Sequence, residues 1–182
     1  ITNNIYHLAK NNEDLGDILQ SIFFEGEKSY LVLNNSNKVV VANRASFVKS
    51  AVITSNIVQP RYTTIANGKI FTSNWGDYGN TTQFVSVHDA NTYAYITSIP
   101  LSENPEEIIT VNGKIYVNKS SYRAGNSIDV INPVTNTIIT TITLSSGLQS
   151  ITVVGNEVFA LCTSSAGSTI YKINTTTDTV SG

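Results

Sequence analysis

Short apolar runs alternate along this chain with turn-forming residues, at a spacing too tight for helices. Over Glu106 to Leu144 (EEIITVNGKIYVNKSSYRAGNSIDVINPVTNTIITTITL) four runs of β-branched and aromatic residues follow one another: Ile108 to Val111, Lys114 to Asn118, Ser127 to Ile131 and Thr137 to Leu144. Each run ends at a turn signal. Asn112-Gly113 suits a type I′ hairpin, because both of its central residues need positive φ. Asn132-Pro133-Val134-Thr135-Asn136 returns the third run to the fourth, since proline fixes φ and asparagine accepts the left-handed region. The pattern predicts a four-stranded antiparallel sheet, and one such sheet cannot bury both its faces alone.

The same pattern recurs in phase. Aligned on the aromatic of the second run, Tyr30, Phe71, Tyr116 and Phe159 lie 41, 45 and 43 residues apart, and each follows a glycine turn at Gly26, Gly68, Gly113 or Gly155. The third run recurs as KVVVAN, FVSVHD, SIDVIN and TIYKIN. Four strands per unit at this period predict an all-β fold, a β-propeller whose four-stranded antiparallel blades cover one another's faces. A sandwich or a solenoid would not require so constant a phase. The repeats run over about 18–55, 56–101, 102–144 and 145–182, within a single domain. At the last repeat the chain stops at Val180-Ser181-Gly182, where a fourth strand should begin. Either Ile1 to Leu8 supplies that strand and closes a four-bladed ring, or the chain is part of a longer ring, and the second is expected. Lys10 to Asp17 reads as a loop.

Composition narrows the function classes. Of 182 residues only 13% are charged and 41% are hydrophobic, so hydroxyls and amides solubilise the surface, a pattern associated with secreted or cell-surface β proteins. Net charge is −2 and the eleven basic residues are scattered, which provides no electrostatic footprint for nucleic acid. Cys162 lies in the alternating run GNEVFALCT and reads as a small core residue. No apolar run approaches a membrane span, and no signal peptide is present; in an exported protein residue 1 would follow the processed start.

Leu15-Gly16-Asp17, Gln20-Ser21, Leu33-Asn34-Asn35-Ser36 and Pro60-Arg61-Tyr62 carry a resemblance. Together they resemble the YncE-like, YVTN-type propeller proteins, and among them surface lipoproteins in which such motifs recur. The resemblance implies a ring of about seven blades and a place on the extracellular face of the bacterial outer membrane, or secretion. It also implies capture of a corrinoid (vitamin B12) on one propeller face, for transfer to a TonB-dependent transporter.

The residues themselves mark candidate contacts. Counting ten back from each aligned aromatic gives Gln20, Arg61, Glu106 and Gln149, all polar and at equivalent places near the channel mouth. Counting four forward gives Asn34, Trp75, Ser120 and Thr163, with Tyr78, Tyr122 and Arg123 in the longer loops. Gln20, Asn34, Arg61, Trp75, Tyr78, Tyr122, Arg123 and Gln149 are therefore the expected ligand contacts. Amides and an aromatic wall suit a corrinoid, and equally an oligosaccharide. Each residue also has a structural role open to it: the glutamines as turn formers, Arg61 as a brace on a neighbouring blade, Trp75 as packing on the adjacent blade.

Catalysis finds little support. His7 and His88 occupy non-equivalent phases, Ser145-Ser146-Gly147 lacks the context of a nucleophile elbow, and Glu106 is the only carboxylate at its aligned position. No metal or cofactor is called for. The expected function is non-enzymatic ligand capture at a cell surface; the alternatives are an adaptor docking a partner protein in an outer-membrane complex and, third, a lactonase-like or lyase-like enzyme.

Overall fold

A computed structural model describes Tyr6, residues 13–77 and residues 82–181. Four antiparallel four-stranded meanders follow one another. Blade 1 comprises β1 (Leu19–Glu25), β2 (Lys28–Leu33), β3 (Lys38–Asn43) and β4 (Lys49–Ile53). Blade 2 comprises β5 (Pro60–Ala66), β6 (Lys69–Asn74), β7 (Gln83–Asp89) and β8 (Tyr95–Leu101). Blade 3 comprises β9 (Ile108–Val111), β10 (Lys114–Lys119), β11 (Ser127–Asn132) and β12 (Thr137–Thr143). Blade 4 comprises β13 (Leu148–Val154), β14 (Glu157–Ser164), β15 (Gly167–Asn174) and β16 (Thr179–Ser181). The β9–β10 hairpin turns as its sequence predicts, with Asn112 at φ 50° and Gly113 at φ 73°.

First strands of consecutive blades adjoin, β1 beside β5, β5 beside β9 and β9 beside β13, so they are the inner strands of a propeller arc. Three apolar cores fill the gaps between blades. Tyr30, Val39 and Val41 pack on Ile57 and Ile70; Phe71, Val85 and Val87 pack on Ile115, Val117 and Ile131; Tyr116, Ile128 and Val130 pack on Leu148, Val158, Ala160, Cys162 and Ile173. Covered on both faces, β10 is buried at five of its six residues, whereas β14 alternates between buried and half-buried up to Cys162 because one of its faces meets no further blade among the described residues. The outer face of blade 1 is capped differently, by Tyr6 and Leu15 over Leu31, Leu33 and Val40.

A lysine staple repeats at the end of the blades where second strands begin. Lys28 donates to the carbonyl of Ala90 at 3.3 Å and lies 5.1 Å from the Tyr93 ring centroid. Lys69 donates to the carbonyl of Pro133 at 2.8 Å and to Asn136 Oδ1 at 2.9 Å. Lys114 donates to the carbonyl of Thr175 at 2.8 Å and to Asp178 Oδ2 at 2.6 Å. Each reaches the turn between the third and fourth strands of the next blade. At the equivalent place in blade 4 stands Glu157, which pairs with Lys172 of its own blade at 2.7 Å.

Candidate functional site

At the opposite end of the blades, first strands begin and second strands end, as the pairings Leu19 with Leu33 and Pro60 with Asn74 require. Here the ladder slips in every blade. Register shifts fall between Leu19 and Ser21, Pro60 and Thr63, and Leu148 and Ser150. In blade 3 the backbone of Asn118 bonds both Glu106 and Glu107. A bulge of this kind re-aims a side chain away from the regular pleat. The bulged residues are Gln20, Arg61, Glu106 with Glu107, and Gln149, and from the second blade on their backbones are tied to the preceding blade. The carbonyls of Arg61, Glu106 and Gln149 accept hydrogen bonds from Ser21, Ser73 and Asn118 at 2.7, 2.7 and 3.4 Å.

The bulged side chains form a chain across three blades. Arg61 donates through Nη1 to Gln20 Oε1 at 2.7 Å and through Nε to Glu106 Oε2 at 2.9 Å. Its guanidinium carbon also lies 4.0 Å from the Trp75 ring centroid. Trp75 is half-buried and donates its indole N–H to the carbonyl of Pro105 at 2.9 Å. Asn34 does the equivalent one blade earlier, donating to the carbonyl of Pro60 at 3.1 Å. Arg61, Trp75 and Asn34 thus brace adjacent blades. Glu107 accepts from the backbone N–H of Ile151 at 2.6 Å and from Asn118 at 3.3 Å.

Above this floor stands the loop from Ser120 to Gly125. Ser121, Tyr122 and Arg123 form a tight turn with φ of 43°, 58° and 70°, three consecutive left-handed residues of which none is glycine. Such runs are rare because the left-handed region costs an L-residue roughly 1–2 kcal/mol. The loop base holds the turn in place: Gly125 N–H donates to the carbonyl of Ser120 at 2.8 Å, while the Gly125 carbonyl accepts from Leu148 at 3.0 Å. A Cβ on Gly125 would collide with the Lys119 carbonyl oxygen. Beneath, Lys119 turns inward to Asp129 at 2.9 Å in a buried pair that Thr141 completes at 2.6 Å. The outcome is Tyr122 standing 64% exposed with its ring 4.9 Å from that of Trp75.

Between loop and bulges opens a cleft of about 390 Å³, lined by residues of blades 2, 3 and 4. Of the candidate contacts it brings together Arg61, Trp75, Tyr122, Arg123 and Gln149, with Gln20 one hydrogen bond away through Arg61. Asn34 lies at the blade 1–2 junction outside it, and Tyr78 lies outside the described residues. Tyr62, Glu106, Glu107 and Ser120 also line it, outside the expected contacts. Ser120 shares the aligned position of Trp75, and Glu106 that of Arg61 and Gln149, which is a usable signal; Tyr62 and Glu107 enter only through the bulges.

Burial pushes the carboxyls of Glu106 and Glu107 above the usual range, opposed at Glu106 by Arg61 and at Glu107 by the hydrogen bonds from Ile151 and Asn118. Among the described residues no three His, Cys, Asp or Glu side chains group as a metal ion would need, and no helix is long and apolar enough to cross a membrane. His88 is buried in blade 2 with Nε2 at 2.7 Å from the carbonyl of Ser55, away from the cleft residues. The cleft can therefore stack a ring, donate through Arg123 and Gln149, and accept through Glu107.

The arc of four-stranded blades defines a β-propeller. The chain belongs to the family described as a domain of unknown function, DUF5074, which matches residues 1–182. No match to a curated protein sequence was found. Solved structures share the fold. Hydrazine synthase of Kuenenia stuttgartiensis is 17% identical with a TM-score of 0.74, over 86% of this chain and 45% of that one. The dihydro-heme d1 dehydrogenase NirN, in complex with DHE, is 12% identical at 0.69, over 91% and 37%. The Dos1 propeller is 12% identical at 0.69, over 91% and 47%. This chain spans about half or less of the length of these structures.

Proposed function

We propose that the protein is a non-enzymatic capture module whose cleft at the junction of blades 2, 3 and 4 holds a small ligand. The observation that carries this reading is the strained, clamped turn at Ser121–Arg123, which holds an aromatic ring and a cation out over a polar floor. Left-handed backbone of this kind persists where surrounding structure enforces it, and it concentrates at ligand clamps. By resemblance to the surface propellers, the specific form of the proposal is a corrinoid held at the outer face of the outer membrane, by a lipoprotein or a secreted protein, for a TonB-dependent transporter. A cleft of about 390 Å³ accommodates a projecting arm of a corrinoid rather than the whole macrocycle.

The test is co-elution of cobalamin with the protein in gel filtration, followed by visible absorbance. Tyr122→Ala should weaken retention by about 1 kcal/mol or more, on the scale of a contact residue, and leave the melting temperature unchanged. No co-elution at micromolar concentration removes the corrinoid. Retention of an outer-membrane assembly by the tagged protein without ligand would instead favour the adaptor reading.

A further inference from the structure

We infer that the mouth of the cleft selects an anionic sugar, with Arg123 holding its oxyanion and Tyr122 stacking on its ring. The inference rests on the capture reading and narrows it to a ligand chemistry.

The cleft holds two arginines and two glutamates. Arg61 and Glu106 neutralise each other at 2.9 Å, and one face of that guanidinium is covered by Trp75. Glu107 already accepts two hydrogen bonds through one oxygen, Oε2. Arg123 is different. It is exposed, and among the described residues it has no ion-pair partner. Its backbone is fixed at φ 70° by the clamped loop, so its side chain starts from a set position beside the cleft. A planar guanidinium with free donors matches a carboxylate or phosphate through two parallel hydrogen bonds.

Two further features choose the body of the ligand. Tyr122 meets Trp75 on one side, at an interplanar angle of 56°, while standing 64% exposed to the cleft mouth and solvent. An exposed ring at a binding site supplies rigid contact area at low entropic cost, and the C–H face of a sugar packs on it well. Glu107 and Gln149 lie in the same cleft and can accept from or donate to hydroxyls. Ring stacking, hydroxyl partners and one exposed cation without an ion-pair partner together describe a uronate or a sugar phosphate. A corrinoid would meet the same requirement only through the phosphoribosyl part of its nucleotide arm.

The probes are D-glucuronate, D-glucose 6-phosphate and the neutral methyl glucoside, titrated calorimetrically at millimolar concentration into the wild-type chain, Arg123→Gln and Tyr122→Ala. At least one acid should bind about tenfold or more tightly than the neutral sugar, the scale of a charge-assisted hydrogen bond. Arg123→Gln should abolish that preference, and Tyr122→Ala should weaken acid and neutral sugar alike. Binding of glucuronate alone identifies a carboxylate ligand, and binding of the 6-phosphate alone a phosphorylated one. Failure of both acids to bind, equal binding of the neutral sugar, or an acid preference untouched by Arg123→Gln overturns the inference. Cobalamin retention that depends on Tyr122 but not on Arg123 would overturn it while leaving the capture reading standing.

Discussion

Trp75 shows how much a single residue's role depends on its neighbours. As the sole tryptophan, in a loop flanked by glycine, it reads equally well as a ligand platform and as packing. The structure commits its N–H to Pro105, one ring contact to Arg61 and another to Tyr122. Truncation should accordingly affect the fold. Trp75→Ala is expected to cost about 2 kcal/mol or more in urea unfolding, combining lost packing with lost hydrogen bonding, while Tyr122→Ala changes stability little. His88 allows a second test at this scale. Burial holds its imidazole below the ordinary value of 6.5, and Nδ1 has no partner. A group whose pKa is lower folded than unfolded binds fewer protons in the native state, so its contribution is complete above the unfolded pKa and shrinks as pH falls from 6.5 towards the folded value. Glu106 and Glu107 act with opposite sign, their raised values favouring the fold on acidification. The His88 contribution is isolated by comparison with His88→Gln: between pH 7 and pH 5 the melting temperature of the wild type should fall more steeply than that of the variant. Parallel slopes would show that His88 does not carry the effect.

Among the elements, the lysine staples and the entrance bulges do different work. Lys114 reaches a carbonyl and a carboxylate of the next blade, with its side chain 23% exposed, and Asp178 also accepts from Tyr116 at 2.5 Å. Lys172 pairs with Glu157 inside one blade, both about 40% exposed. Exposed pairs contribute ~0.2–1 kcal/mol, whereas charge-assisted bonds to partly buried partners contribute about 1.5–3. Lys114→Met should therefore lower stability clearly more than Lys172→Met, as read from denaturant midpoints. Strands and hairpins were legible in the sequence because β-branched runs and Asn-Gly pairs act over two to six residues. The bulges were not. No local pattern encodes a slip in the ladder, and it is the bulges that bring Glu107 into the cleft that Arg61 and Gln149 also line.

For the molecule as a whole, what matters is which faces are covered. Ile170 and Ile173 lie on the same strand, β15, and on opposite faces: Ile173 is fully buried against blade 3, and Ile170 is 71% exposed. Ile173→Ala should cost about 2–5 kcal/mol through lost transfer energy and cavity formation. Ile170→Thr should stay within about 0.5 kcal/mol, as expected where nothing packs. Equal effects would mean that both faces of blade 4 are covered in solution.

The sequence by itself determined that the chain makes four antiparallel blades, because strand patterning and turn chemistry are local and repeat in phase. It also placed Arg61, Glu106 and Gln149 at equivalent rim positions, since periodic structure turns equal spacing into equal location. Only the tertiary structure decided which of these polar groups neutralise one another and which cation is left without an ion-pair partner. Pairing between charges depends on distances across blades some forty residues apart, and those are set by packing rather than by any spacing along the chain.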